Sequence, residues 1–251
     1  MPFDNPVTID MSPSDNVKNV LTRLQKLVGK NAQPDDPRLA KICENFRRQN
    51  TKKILANTIE DSRFVVLDTE TTGFHVYAGD EMVSIAILEY EGLKATGREF
   101  VQLINPGRAI PAESTAIHHI TDADVADCPD IDAVLPDIAE FIGSAVIIGH
   151  HINFDIRFLN RYLKHQLGCQ LRNPTLDTML LFTSHTGRIG HYSLEEVAEC
   201  CHIDMRDRHT ARGDALMAAG IFTCLVPMLS KPQDTINHIY NQQLGYDPIK
   251  H

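Results

Sequence analysis

Phe64-Val65-Val66-Leu67 passes without a break into Asp68-Thr69-Glu70, and few folds accommodate such a segment. Four consecutive apolar residues, three of them β-branched or aromatic, predict a short strand buried on both faces, at the centre of a sheet. Residues i and i+2 of a strand face the same way, so Asp68 and Glu70 project together at its C-terminal end while Thr69 points away. With 251 residues and 43% hydrophobic content, the chain can bury one substantial core and still carry a small appended element.

The rest of the pattern is consistent with an α/β chain. Strands are predicted over 82–90 and 97–104, the second ending at Asn105-Pro106-Gly107, and their close succession makes them antiparallel neighbours. A helix around 131–142, a strand at 145–148 and helices near 153–167, 178–185, 193–200 and 211–228 follow. Strands first and alternation afterwards imply a mixed sheet flanked by helices. Before this domain, Val17, Val20, Leu21, Leu24, Leu27 and Val28 form the stripe of an amphipathic helix that Gly29 can stop. Asp36-Pro37 then opens a second helix carrying Leu39, Ile42, Cys43 and Phe46. The expected organisation is an N-terminal helical hairpin in residues 1–60, a main domain over 61–230 and a C-terminal tail over 231–251. The hairpin either packs on the core or across a homodimer, or docks a partner or substrate.

Net charge is −9, divided into +3 for residues 1–60 and −12 for the remainder. An acidic surface repels a polyanion unless bound cations neutralise some of its carboxylates. The six cysteines show no C-x-x-C spacing, which indicates reduced thiols rather than a zinc site or disulfide framework. Without a secretory signal or a run of eighteen apolar residues, the expectation is a soluble, cytoplasmic protein without a membrane partner.

Three segments carry the chemistry. The exposed D-x-E pair suits a hard cation such as Mg²⁺, which takes one or two carboxylates plus water and phosphate; most such pairs are merely solvated. Asp155 lies in the first turn of the helix that follows strand 145–148, where it either favours the helix dipole or joins a site at the strand ends. His209 and Asp214, five residues apart, would sit about 140° apart on one helix. If Thr210 is the helix cap, His209 lies in the preceding loop and both can face one site, the histidine having the character of a general base.

The ordered motifs D-T-E-T-T-G from Asp68, G-H-H-x-x-F-D ending at Asp155, and H-x-x-x-x-D from His209 to Asp214 resemble the DEDDh 3′–5′ exonuclease superfamily over about residues 62–229. Its members include the proofreading epsilon subunit of bacterial polymerases and ribonuclease T. Ala116-Ile117-His118-His119-Ile120-Thr121, Leu176-Asp177-Thr178 and Tyr192-Ser193-Leu194 fall in the expected order. The resemblance implies a ribonuclease-H-like fold with a five-stranded mixed sheet, and two Mg²⁺ or Mn²⁺ ions. Asp68 would bridge the metals, Glu70 and Asp214 would hold the one on the nucleophile side, Asp155 would hold the other through water, and His209 would activate the water. Thr71, Thr72, Gly73, Phe74, His118, His150 and Phe154 are the implied substrate contacts, with Phe74 stacking on the terminal base or else an ordinary core residue.

Two positions depart from the family pattern. His151 stands where asparagine is common, which is expected to alter terminal-nucleotide contacts, and Gly213 precedes the last aspartate, which is expected to loosen the helix start by about 1 kcal/mol relative to alanine. The histidine pairs lack zinc spacing, Asp177 reads as a helix cap, and Asp122 to Glu140 reads as a solvated face. Gln242-Gln243-Leu244-Gly245-Tyr246 faintly echoes a sliding-clamp-binding peptide. The expected partner is a nucleic acid with a free 3′ end, together with a polymerase or other repair or replication protein. DNA is the favoured substrate; trimming of RNA or small oligonucleotides, and a degenerate docking module, remain open.

Overall fold

The computed structural model describes residues 37–245. The elements are α1 (Pro37–Arg48), α2 (Thr51–Leu55), β1 (Arg63–Thr71), β2 (Met82–Glu91), β3 (Lys94–Leu103), α3 (Ala112–His118), α4 (Asp122–Val125), α5 (Ile131–Ile142), β4 (Val146–Gly149), α6 (Asn153–Leu167), β5 (Thr175–Asp177), α7 (Thr178–Thr186), α8 (Leu194–Cys200), α9 (Ala211–Leu229) and α10 (Ile236–Leu244). The sheet order is β3-β2-β1-β4-β5. β1 is antiparallel to β2 and parallel to β4, and β5 continues the parallel half, so this is the expected mixed five-stranded sheet with β1 at its centre.

Alternation along β1 sends its side chains into two cores. Val65 and Leu67 face Ile85, Ile87 and Ile147 on the side covered by α1, α5 and α6. Phe64 and Val66 face Leu88, Val146 and Ile148 on the side covered by α7 to α10. All four β1 residues have no exposed surface. β3 lies at the sheet edge with most of its residues exposed, and Lys94, Arg98 and Glu99 give that edge the charges that discourage pairing with another chain.

Helix α1 begins at Pro37, as the N1 preference of proline predicts, and spends Ile42, Cys43 and Phe46 on the core. The first predicted helix, built on Val17 to Val28, lies outside the described residues. Helix α9 is 19 residues long and apolar enough by length and composition to cross a membrane, although Arg212 and Asp214 interrupt its apolar run near the start. Its apolar side chains pack on β1 and β2 and fill the second core.

Part of the tail expected over 231–251 is a helix of the domain. In α10, Ile236 and Ile239 are buried in the second core, and Gln243 accepts a hydrogen bond from Asp177 N at 2.9 Å and donates to Thr175 O at 2.7 Å. Gln243 of the clamp-peptide echo is therefore spent on β5; Tyr246 lies outside the described residues.

Candidate active site

Asp68 and Glu70 leave the C-terminal end of β1 on one face, and Asp214 reaches them from the first turn of α9, bringing three carboxylates together with oxygens within 4.8 Å of one another. A register shift between Glu70 and Thr71 bends the strand at this point, a common device for re-aiming side chains beside a site. Asp155 stands next to the trio rather than within it. Its carboxylate accepts from Thr69 Oγ1 at 2.6 Å, so the side chain that alternation turns away from Asp68 and Glu70 is the one that holds the fourth acid.

Crowding dominates the electrostatics. Burial, then Asp155, Asp214 and Glu70, push the Asp68 carboxyl well above the usual range, against the pull of Arg208. Burial and Asp214 raise Glu70 to about 7. Burial raises Asp155 to about 7 despite the Thr69 hydrogen bond, and raises Asp214 while Arg208 opposes it. Like charges held this close favour protonation unless cations intervene. Convergent, hard oxygen donors of this kind fit a divalent cation such as Mg²⁺ or Mn²⁺.

The helix cap on which the spacing argument for His209 rests is present. Thr210 caps α9, its hydroxyl accepting from Gly213 N at 3.0 Å, and His209 lies in the loop before it with φ 63°. The His209 backbone N–H donates to Asp214 Oδ1 at 3.2 Å, tying the loop to the carboxylate. Arg208, unassigned from sequence, donates to the other oxygen of Asp214 and to Glu195 Oε1 at 2.7 Å. Its only sequence signal was a lone cation beside the histidine.

Gly213 corrects the sequence expectation. A Cβ there would overlap the Asp207 carbonyl and approach Thr210 Oγ1 to 2.9 Å, so the glycine admits the loop that presents His209 rather than loosening the helix. Gly213→Ala is expected to cost about 1–3 kcal/mol through overpacking, and to slow turnover roughly tenfold or more as the loop shifts, because about 1.4 kcal/mol of lost transition-state stabilisation is tenfold in rate. Thermal melting and steady-state kinetics would check it; a rise in melting temperature, as helix propensity alone predicts, would restore the original reading.

His151 adopts φ 55°, a left-handed conformation in which asparagine and histidine are both enriched, so the backbone is one demand that the family asparagine and this histidine both meet. Its N–H donates to Asp177 Oδ1 at 3.2 Å, and its ring stacks on His191 at 4.4 Å. Asp177 caps α7 as expected and also accepts from Ile152 N at 3.1 Å, clamping the loop that leads to Asp155.

The remaining implied contacts divide. Phe74 is 76% exposed and leans on Phe154, with ring centroids 5.9 Å apart. Thr71 donates to Gly73 O at 2.8 Å, while buried Thr72 is held by Glu81 N and Ser114 Oγ. His118 is buried at the end of α3, its Nδ1 accepting from Ile120 N at 3.1 Å. Both His150 ring nitrogens are engaged, with Thr178 Oγ1 and Tyr192 O at 2.9 Å each, and burial lowers its pKa to about 4, which keeps it a neutral strut between β4 and α7.

The profile of the exonuclease family, RNase T, matches residues 65–222. The DNA polymerase III subunit epsilon of Aquifex aeolicus is 36% identical over 67% of this chain and 82% of its own length. A DNA polymerase III subunit epsilon-like protein of Rhodobacter capsulatus is 41% identical over 70% of this chain, but the match spans only 25% of that relative. Among solved structures, exonuclease X in complex with 5′ overhanging duplex DNA superposes with a TM-score of 0.55 at 22% identity, covering 70% of this chain and 99% of that one. E. coli exonuclease I in complex with a dT13 oligonucleotide gives 0.56 at 17%, covering 64% and 40%. At these identities the structural likeness is one of fold.

Proposed function

The chain belongs to the DEDDh family of 3′–5′ exonucleases, and from that premise we propose that it removes nucleotides from the 3′ ends of DNA as nucleoside 5′-monophosphates. The observation that carries this reading is the convergence of Asp68, Glu70 and Asp214 within 4.8 Å, beside the loop that presents His209. Asp68, Glu70 and Asp214, with Asp155 alongside, are the residues that would hold two divalent ions. When bound, such ions supply positive charge to the phosphodiester and lower the pKa of water. His209 accepts the proton of the attacking water. The new bond joins water oxygen to phosphorus, the bond from phosphorus to the 3′ oxygen of the preceding nucleotide breaks, and that oxygen takes up a proton. Arg208 fixes the orientation of Asp214 against Glu195, Phe74 offers a ring for the terminal base, and Thr71 to Gly73 bring backbone groups to it. His118 and His150 act only indirectly, His150 by bracing the end of β4 against Thr178 and Tyr192.

Relatives named as polymerase III subunits support a replicative polymerase as partner. The decisive experiment compares 3′- and 5′-labelled single-stranded DNA, duplex DNA and RNA with Mg²⁺, Mn²⁺ and chelator. Metal-dependent release of 5′-monophosphates from 3′ ends, fastest on DNA, is expected. Cleavage that persists in excess chelator, or internal cuts on a circular substrate, would overturn the proposal, and faster release from RNA would move it to RNA trimming.

A further inference from the structure

In a chain of net charge −9, residues 157–172 contain four Lys or Arg and no acid. Arg157, Arg161 and Lys164 fall at i, i+4 and i+7, on one side of α6. At the C-terminal end of that helix, Lys164 meets Arg47 of α1 and Arg172 around a cavity of about 220 Å³. Arg47 donates to the Gly168 carbonyl at 3.3 Å, and Thr51 Oγ1 anchors the Arg172 carbonyl at 2.8 Å. None of Arg47, Lys164 and Arg172 forms an ion pair among the described residues. Three exposed cations around a hollow therefore remain available to an anion.

The other end of α6 connects this hollow to the acidic site. Arg161 binds the Val76 and Asp80 carbonyls at 2.5 and 2.7 Å, fastening the 74–81 loop along the helix. That loop presents Phe74 and Tyr77, which is 70% exposed and has the Arg157 guanidinium 5.8 Å from its ring centroid. Exposed rings followed by uncommitted cations match what a single strand needs, bases stacking on the first and phosphates pairing with the second. The 13 residue steps from Asp155 to Gly168 span about 20 Å of helix at about 1.5 Å each. A stacked strand covers that distance in about six nucleotides at roughly 3.4 Å per nucleotide.

We propose that α6 is an extended nucleic-acid track, with the bases nearest the 3′ end resting on Phe74 and Tyr77 and the phosphate about six nucleotides upstream seated among Arg47, Lys164 and Arg172. The proposal rests on the exonuclease reading and extends it to substrate length. The test is the triple variant Arg47→Gln/Lys164→Gln/Arg172→Gln, with its melting temperature measured first. Its KM for a single-stranded 20-mer should rise roughly tenfold or more, and the salt dependence of that KM should weaken by about 0.7 in log–log slope for the one lost phosphate contact. Kinetics on a trinucleotide, too short to reach the hollow, should stay unchanged. Fluorescence anisotropy of a labelled 20-mer in chelator reads the same difference without turnover. Unchanged 20-mer affinity, or equal loss on the trinucleotide, would overturn the track. Wild-type protein that binds the 20-mer more tightly than the variant yet cleaves neither substrate would overturn the exonuclease reading instead.

Discussion

Asp68→Asn should abolish turnover, by at least about 10³-fold given the several kcal/mol that charge stabilisation at a phosphoryl centre supplies, and yet raise the melting temperature of the metal-free protein. Asp68 is surrounded by Asp155, Asp214 and Glu70, and its carboxyl is pushed well up by burial and by them. An acid whose folded pKa is raised adds stability below its unfolded value and loses it as pH climbs through the folded one. For Glu70 that window runs from 4.5 to about 7, and for Asp155 from 3.8 to about 7. Above it the wild-type site holds mutually repelling carboxylates, and the asparagine removes one. At pH 8 in chelator, a gain of a few degrees is expected, since about 1 kcal/mol moves a domain of this size by roughly 2–4 °C. The gain should shrink at pH 5. His150, lowered to about 4, has the opposite pH dependence but is common to both proteins and cancels in the difference. Excess Mg²⁺ or Mn²⁺ should reverse the order, because only the intact site gains from the cation. A variant that melts lower in chelator at pH 8 would make Asp68 a structural acid.

Turnover should fall by about 10² to 10⁴-fold when His209 is replaced, the range general-base catalysis supplies, while substrate KM and metal affinity change little. Asparagine is the informative replacement. His209 sits at φ 63°, where alanine would add a backbone penalty of about 1–2 kcal/mol, whereas asparagine tolerates the left-handed region and has no basic nitrogen. The backbone N–H to Asp214 survives in His209→Asn, so the carboxylate stays in place and only the ring is lost. The residual rate should climb with hydroxide concentration. Near-normal kcat in this variant would assign the base elsewhere.

The sequence made the centre of the molecule readable because its signals there are periodic and local. Phe64 to Leu67 declared a doubly buried strand, the i, i+2 rule put Asp68 and Glu70 on one face, and the cap preference of Thr210 placed His209 in a loop. What escaped depends on contacts between distant segments. Arg208 gains its meaning from Glu195 and Asp214, neither adjacent to it in sequence. Gly213 looked like a weak helix start because propensity describes the helix and not the carbonyl lying across it. β5 has three residues, too few for any period, and α10 was read as tail because its anchoring partner, Asp177, lies 66 positions away.

That last link is completed late in the order of synthesis. Gln243 holds the backbone of Thr175 and Asp177, and Asp177 in turn grips the amides of His151 and Ile152, at the start of the helix bearing Asp155. During translation the sheet and all four acids leave the ribosome well before residue 243 does. A nascent chain would thus carry Asp68, Glu70, Asp155 and Asp214 before Gln243 could brace the segment that leads to Asp155.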